Sequence, residues 1–179
     1  MFDLNSILKK LYPEILGPSF AWKDVVFDFT EFMVKRGLLP EERVAFKEDR
    51  VFYHFPCHYL NTLKLGEEPR KMLQSLGFKP TEEEEPPTCC GFCGIFSIKN
   101  PELSARLWEK KKKNILRSEA TLIATDCPGC LFQMRAGLKK ENQLFKIYHS
   151  AELYAKVLEQ SLKQKTFPSS KSQMENKSE

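Results

Sequence analysis

The stretch TLIATDCPGCLFQMRAGLKK (121–140) decides the fold of this 179-residue chain. Its first five residues are mostly apolar or β-branched and predict a short strand. The next residues lead into CPGC, which starts as a turn, and the segment after it predicts a helix that continues to residue 140. A strand that leads into a helix is half of a βαβ unit, and such units build parallel sheets covered by helices. The turn between the two elements carries Cys127 and Cys130.

The same alternation of strands and helices extends along most of the chain. Residue type and spacing predict further strands over 50–55 and 144–149, and helices over 22–39, 66–77, 100–120 and 150–163. We therefore predict an α/β fold in which a small, mainly parallel sheet is flanked by helices. The expected division is an N-terminal helix and loop (1–23), a cysteine-rich domain (24–163) and a disordered tail (164–179).

Composition limits the partners that we expect. Hydrophobic residues make up 41% of the chain, and the net charge of +4 is too small to indicate nucleic-acid binding. No stretch approaches the roughly 18 apolar residues of a membrane span, and the segment 1–17 lacks the pattern of a signal peptide. We therefore expect a cytoplasmic protein without direct membrane insertion, in which any membrane association is made through a partner.

Two charged runs are interpreted as solvent-exposed. The run TEEEEPP (81–87) has the composition of an acidic turn. The lysines Lys110–Lys113 are interpreted as the exposed face of the helix predicted over 100–120.

The six cysteines follow the pattern C-x31-C-C-G-x35-C-x-x-C, with Cys93 as an additional cysteine two residues after the glycine. Cys57 and Cys127 each follow a predicted strand by two residues. Because the carboxyl ends of parallel strands meet at one edge of a sheet, we predict a cysteine cluster at that edge. In a reducing compartment, clustered free cysteines usually bind metal or do redox work.

The residues alone leave the kind of site open. Thiolates are soft ligands that select zinc, copper(I) or iron–sulfur clusters. A structural zinc site would use four thiolates, Cys90, Cys93, Cys127 and Cys130. That set leaves Cys57 and Cys89 without a role. The CPGC turn alone is compatible with a redox-active thiol pair at a helix N-terminus.

A disulfide between the adjacent Cys89 and Cys90 would be strained. Adjacent side chains normally point apart, so the pair cannot easily serve one tetrahedral ion. Both cysteines can instead bind a larger, multi-iron cluster, to which a glycine such as Gly91 lets the backbone approach closely.

Four segments carry a combined motif that extends beyond the cysteines: VFYHFPCHYL (51–60), CCGFCGIFSIKNPELSARLWEKKKKNI (89–115), ATDCPGCLFQMRAGL (124–138) and YHSAELYA (148–155). Together they resemble the cysteine-rich CCG domain that occurs in heterodisulfide reductase and in the iron–sulfur subunits of glycolate and lactate oxidation complexes. The resemblance spans about residues 24–160.

The resemblance implies that five cysteines hold an iron–sulfur cluster, which is a noncubane [4Fe–4S] cluster in the best-understood members, while some members hold zinc. By position, the ligands are Cys57, Cys89, Cys90, Cys127 and Cys130. It also implies an iron–sulfur subunit of an oxidoreductase complex, which transfers electrons or reduces a disulfide. Family members usually contain two such domains, and this chain resembles the C-terminal half alone. The expected partner is therefore a flavoprotein, a ferredoxin-like subunit or a second CCG-domain subunit.

Other residues near the motif raise separate hypotheses. Cys93 stands where the family usually has glycine, and it is a spare thiol, an extra ligand or a resolving thiol. His54 and His58 bracket Cys57, and either ring could donate an N–H to a cluster sulfur and so raise its reduction potential. The alternative is that each histidine only satisfies the hydrogen bonds of its loop.

Overall fold

The structure, a computed structural model, describes residues 4–17, 19–20, 22, 25–40, 50–81, 83, 87–140 and 145–166, with side chains as far as residue 163. Its centre is a sheet of four parallel strands, β1 (Arg50–Tyr53), β2 (Lys79–Thr81), β3 (Leu122–Thr125) and β4 (Lys146–His149). The strand order is β2-β1-β3-β4. Along the chain, β1 is followed by β2 at one edge of the sheet, and β3 is followed by β4 at the other edge. The topological switch point therefore lies between β1 and β3.

Helices cover both faces of this sheet. They are α1 (Leu4–Ser6), α2 (Tyr12–Leu16), α3 (Phe29–Lys35), α4 (Glu67–Ser75), α5 (Ile95–Lys99), α6 (Pro101–Arg117), α7 (Pro128–Lys140) and α8 (Ser150–Thr166), with π-helical turns at Ile7–Leu11 and Tyr59–Leu63. Buried residues of α4 and α8 pack on one face of the sheet, and those of α6 and α7 pack on the other. None of the described helices combines the length and the apolar composition needed to cross a bilayer.

The core has two layers because successive strand residues point to opposite faces. Val51 and Tyr53 of β1 pack with α4 and α8, whereas Phe52 packs with α6 and α7. In β3, Leu122 faces the first layer and Ile123 faces the second. All four residues of β3 are buried. This is typical of a central parallel strand that is covered on both faces.

The predicted α/β fold is confirmed, and the sheet is entirely parallel. The sequence does not predict β2, because Pro80, with Lys79 before it and an acidic run after Thr81, is typical of a turn. Proline is tolerated there because β2 is an edge strand. The helix predicted over 22–39 is confined to α3, because Asp28 and Glu31 form a capping box that starts the helix at Phe29.

The structure adds detail at both ends of the predicted division. Lys9 Nζ lies 2.7 Å from Glu31 Oε1, so the N-terminal helical segment contacts α3 of the cysteine-rich domain. At the other end, α8 continues to Thr166. The rest of the predicted disordered tail, 167–179, lies outside the described residues. The boundary at residue 23 stays a prediction.

Candidate metal centre

All six cysteines line one cavity at the carboxyl edge of the sheet. The cavity has a volume of about 190 Å³, and its other lining residues are His58, Phe92, Pro128 and Gly129. Cys57 follows β1 and Cys127 follows β3, the two strands on either side of the switch point. The predicted convergence of distant cysteines at this edge is therefore confirmed.

The possible ligand atoms form two groups of three. The first group is buried and consists of His54, Cys90 and Cys130; the second is half-buried and consists of Cys57, Cys89 and Cys93. Within each group the ligand atoms lie within 4.8 Å of one another. The Sγ atoms of Cys90 and Cys130 are 3.0 Å apart, and those of Cys89 and Cys93 are 3.7 Å apart. Among the described residues, no such group joins Cys93 to the other three members of the four-thiolate zinc set.

Hydrogen bonds at the carboxyl ends of β1 and β3 hold the two cysteine-bearing segments together. The His54 N–H donates to the Ala124 carbonyl at 2.9 Å, and Thr125 Oγ1 donates to the His54 carbonyl at 3.0 Å. The Tyr53 hydroxyl donates to Asp126 Oδ2 at 2.5 Å. Burial raises the pKa of Asp126 to about 6, although the Tyr53 hydrogen bond acts in the opposite direction. Backbone and side-chain hydrogen bonds between neighbouring strands therefore hold the edge of the site together.

The CCG segment, residues 89–91, is attached to α6 through Gly91. Gly91 has a φ of +88°, and its carbonyl accepts a hydrogen bond from Ser104 Oγ at 2.8 Å. Its N–H donates to Cys89 Sγ at 3.3 Å. A Cβ at Gly91 would lie 2.5 Å from the Ser104 carbonyl oxygen, so only glycine fits. This residue thus sets where Cys89 and Cys90 enter the cavity.

Cys93 also lies in the left-handed region of the backbone, with a φ of +40°. A residue other than glycine is uncommon in this region. The conformation therefore suits the glycine that the resemblance implies at this position. In this chain it brings a sixth thiol beside Cys89.

The CPGC segment is held at the N-terminus of α7. The Leu131 N–H donates to the Cys127 carbonyl at 2.9 Å, so Cys127 immediately precedes the first turn of the helix. The positive end of the helix dipole favours a thiolate there. Gly129 has no room for a side chain, because a Cβ would lie 2.8 Å from the Phe92 ring.

Contacts among the thiols lower the pKa of two of them. Contacts with Cys130 and Cys89 lower the pKa of Cys90 to about 4, and contact with Cys130 lowers the pKa of Cys127 to about 6. The same contacts raise the pKa of Cys130, and a separate contact with Cys89 raises the pKa of Cys57 to about 12. The site therefore favours two thiolates at neutral pH, the form that binds soft metals.

A buried polar triad lies beside the first group and consists of His54, Glu83 and Lys111. The Lys111 ammonium contacts Glu83 Oε1 and donates to His54 Nδ1 at 2.8 Å. The exposed fractions of these side chains are 1% for His54, 2% for Glu83 and 0% for Lys111. The interpretation of the lysine run as an exposed face is therefore wrong at Lys111. The interpretation of TEEEEPP as a solvated turn is likewise wrong at Glu83.

The helix pattern contains a signal for Lys111 that residue type alone hides. Ser104, Trp108 and Ile115 are buried on the same face of α6 as Lys111, at the spacing of an inward stripe. No local pattern identifies Glu83, because its partner is 28 residues away along the chain. Burial lowers the pKa of Lys111 to about 7, while the adjacent Glu83 carboxylate favours the charged form.

The two histidines that bracket Cys57 occupy different parts of the site. His58 lines the cavity, and its hydrogen bond acts to lower the pKa of the Cys57 thiol. His54 belongs to the buried group and to the polar triad. Burial and the Lys111 ammonium hold the pKa of His54 well below its ordinary value, so the ring is neutral.

A family model described as a cysteine-rich domain, CCG, matches residues 51–135. The chain belongs to the CCG family of cysteine-rich domains. The matched region of this CCG domain runs from β1 into α7 and contains all six cysteines, whose shared cavity gives the match a structural basis.

Curated relatives of this CCG-domain chain extend the similarity beyond the matched region. Lactate utilization protein A of Oceanobacillus iheyensis is 31% identical over 152 residues, which are 80% of this chain and 62% of that protein. A probable glycolate oxidase iron–sulfur subunit of Bacillus subtilis is 31% identical over 144 residues, which are 79% of this chain and 32% of that protein. Lactate utilization protein A 2 of Bacillus cereus is 32% identical over 161 residues, 86% of this chain and 66% of the relative. The chain thus spans between about one third and two thirds of these relatives.

The donor set of the CCG domain fits an iron–sulfur group. Six soft thiols line the same cavity, and two of them favour the thiolate form. The Gly91 N–H already donates to a cysteine sulfur, which is the kind of contact that iron–sulfur sites use.

Proposed function

We propose that this CCG domain holds one [4Fe–4S]-type cluster and acts as an iron–sulfur subunit of an oxidoreductase complex, of the heterodisulfide reductase kind or of the glycolate and lactate oxidase kind. The observation that carries the proposal is the single cavity of about 190 Å³ lined by all six thiols. A relative named as a probable glycolate oxidase iron–sulfur subunit supports it. When bound, such a cluster supplies redox chemistry for electron transfer or for reduction of a disulfide.

The proposed ligands are Cys57, Cys89, Cys90, Cys127 and Cys130, with Cys93 available as an additional thiol. Their number favours a multi-iron cluster over one ion. A tetrahedral zinc site is completed by four thiolates. Five proposed ligands and a sixth thiol line the same cavity, so a group that uses all five ligands must be larger than one ion.

The half-buried side of the cavity is the side on which we expect an electron-transfer partner. Cys57, Cys89 and Cys93 are partly exposed, whereas Cys90 and Cys130 are buried. The proposed partner is a flavoprotein, a ferredoxin-like subunit or a second CCG-domain subunit. We place the chain in the cytoplasm, with any membrane association made through that partner.

A second candidate function is a zinc-stabilised docking module without electron transfer. The Sγ atoms of Cys89 and Cys93 are 3.7 Å apart, close to the spacing of about 3.8 Å between sulfurs on tetrahedral zinc. Cys57 lies in the same group and would supply a third thiolate. This candidate makes Cys93 essential, whereas the cluster proposal does not.

Metal analysis of two cysteine variants separates the candidates. The wild type, Cys90→Ser and Cys93→Gly would be purified without oxygen and analysed for iron, sulfide and zinc. The cluster proposal predicts iron in the wild type, its loss in Cys90→Ser and its retention in Cys93→Gly, because glycine suits the φ of +40° at that position. Zinc that is lost from Cys93→Gly but kept by Cys90→Ser would support the docking module instead.

A further inference from the structure

The buried triad of His54, Glu83 and Lys111 has no part in the proposed ligand set, yet three separate chain segments converge to form it. His54 follows β1, Glu83 follows β2, and Lys111 lies in the middle of α6. A buried ion pair is seldom better for stability than apolar residues of similar volume. Since Lys111 lies between Trp108 and Ile115 on the inward stripe of α6, an apolar residue would fit the pattern of that face. The triad therefore calls for a role other than packing.

The contacts of Lys111 determine which nitrogen of His54 carries the ring proton. A lysine ammonium has donors and no acceptor. Its Nζ lies 2.8 Å from His54 Nδ1, whereas Glu83 Oε1 lies 3.3 Å from the same nitrogen. The closer contact makes Nδ1 an acceptor, so the proton of the neutral ring is on Nε2. The Glu83 carboxylate contacts the same nitrogen, so it favours the ammonium form of Lys111 and holds the side chain in place.

The Nε2 atom of His54 is buried and has no hydrogen-bond partner among the described residues. A buried donor without an acceptor is destabilising, so an acceptor from outside the chain is expected. The ring lies at the thiol site, because one of its nitrogens is within 4.8 Å of the Sγ atoms of Cys90 and Cys130. The thiols of Cys127 and Cys57 also act electrostatically on the ring.

We propose that Glu83 and Lys111 fix His54 as the Nε2–H tautomer, and that this N–H donates a hydrogen bond to a sulfur of the group held by the cysteines. The inference rests on the proposed cluster and makes His54 a hydrogen-bond donor rather than a ligand, with Glu83 and Lys111 as its positioning residues. An N–H that points at sulfur stabilises the more negative, reduced state, so the contact raises the reduction potential. Of the two histidines beside Cys57, the structure assigns this role to His54.

Nitrogen NMR of the ¹⁵N-labelled chain tests the tautomer without any metal. The chain prepared without metal is expected to show His54 as Nε2–H. The double variant Glu83→Gln with Lys111→Met removes both charges together, so neither is left buried alone, and it should lose the fixed tautomer. Lys113→Met changes an exposed lysine of the same helix and should leave the tautomer unchanged. An Nδ1–H tautomer in the wild type would overturn the inference.

Redox titration of the iron-loaded protein tests the hydrogen bond. His54→Leu removes the donor and is expected to shift the one-electron equilibrium of the cluster about tenfold toward the oxidised state. This shift corresponds to a reduction potential that is lower by about 59 mV. His54→Gln keeps an amide N–H near the Nε2 position and should restore most of the difference. Equal potentials in the wild type and His54→Leu, both loaded with iron, would overturn the inference alone. A wild type that takes up no iron would overturn the proposed function itself.

Discussion

Substitution of Gly91 by alanine tests how the CCG segment is built. At its φ of +88°, a Cβ is disfavoured by about 1–2 kcal/mol. The new methyl group would also lie 2.5 Å from the Ser104 carbonyl oxygen, inside α6, and this contact must open to about 3.4 Å. Forcing an extra methyl group into a packed position costs about 1–3 kcal/mol more. We therefore expect Gly91→Ala to reduce the free energy of unfolding by about 2–5 kcal/mol, and to move the CCG segment away from the cavity.

Thermal unfolding of the metal-free chain under reducing conditions measures this loss, and Gly17→Ala is the matched control. Gly17 has a φ of +89° but no atom within 4 Å of a built Cβ, so its variant carries the backbone cost alone. The steric part should make the Tm of Gly91→Ala about 2–12 °C lower than that of the control, at 2–4 °C per kcal/mol for a chain of this size. Gly91→Ala should also bind less iron after reconstitution. Equal Tm values for the two variants would refute the assignment of Gly91 as the fixed contact between the CCG segment and α6.

Two further predictions concern buried charges. Lys111→Met leaves the Glu83 carboxylate buried without its ammonium and should lower the free energy of unfolding by about 3–5 kcal/mol, measured by chemical denaturation. Lys113→Met, at an exposed position, should change it by less than about 0.5 kcal/mol. Similar losses in both variants would show that Lys111 is not buried. Burial acts to raise the pKa of Glu31, but hydrogen bonds from Lys35 and Lys9 outweigh it, so the pKa lies below its usual 4.5. Glu31 therefore stabilises the fold fully above pH 4.5 and loses this contribution as the pH falls through its folded pKa. Glu31→Gln should cost about 1–3 kcal/mol at pH 7 and progressively less as the pH falls through the folded pKa of Glu31, and a loss that does not depend on pH would contradict the lowered pKa.

The sequence predicts the parts of the fold that rest on short-range patterns. Strands β1, β3 and β4 are recognisable from runs of apolar and β-branched residues, and α8 from its amphipathic repeat. The convergence of Cys57 and Cys127 follows from the rule that parallel strands end at a common edge. By contrast, β2 consists of Lys79, Pro80 and Thr81, and it forms a strand because β1 offers a free edge to pair with.

The surroundings of the site depend on contacts that no local pattern contains. Lys111 is buried because Glu83, from a distant loop, supplies the compensating carboxylate. A rule that assigns charged residues to the surface fails wherever tertiary structure provides such a partner. Cys93 is placed beside Cys89 by a left-handed backbone conformation that a residue other than glycine rarely adopts. The sequence thus predicts the edge where the site lies, and tertiary contacts decide how its residues are grouped.

The iron and acid-labile sulfide content of the wild-type chain, purified without oxygen, tests the central claim most directly. A thiol cavity that holds one [4Fe–4S]-type cluster predicts about four irons per chain with matching sulfide, together with the visible absorption of an iron–sulfur protein. One zinc per chain with no iron or sulfide would contradict the claim.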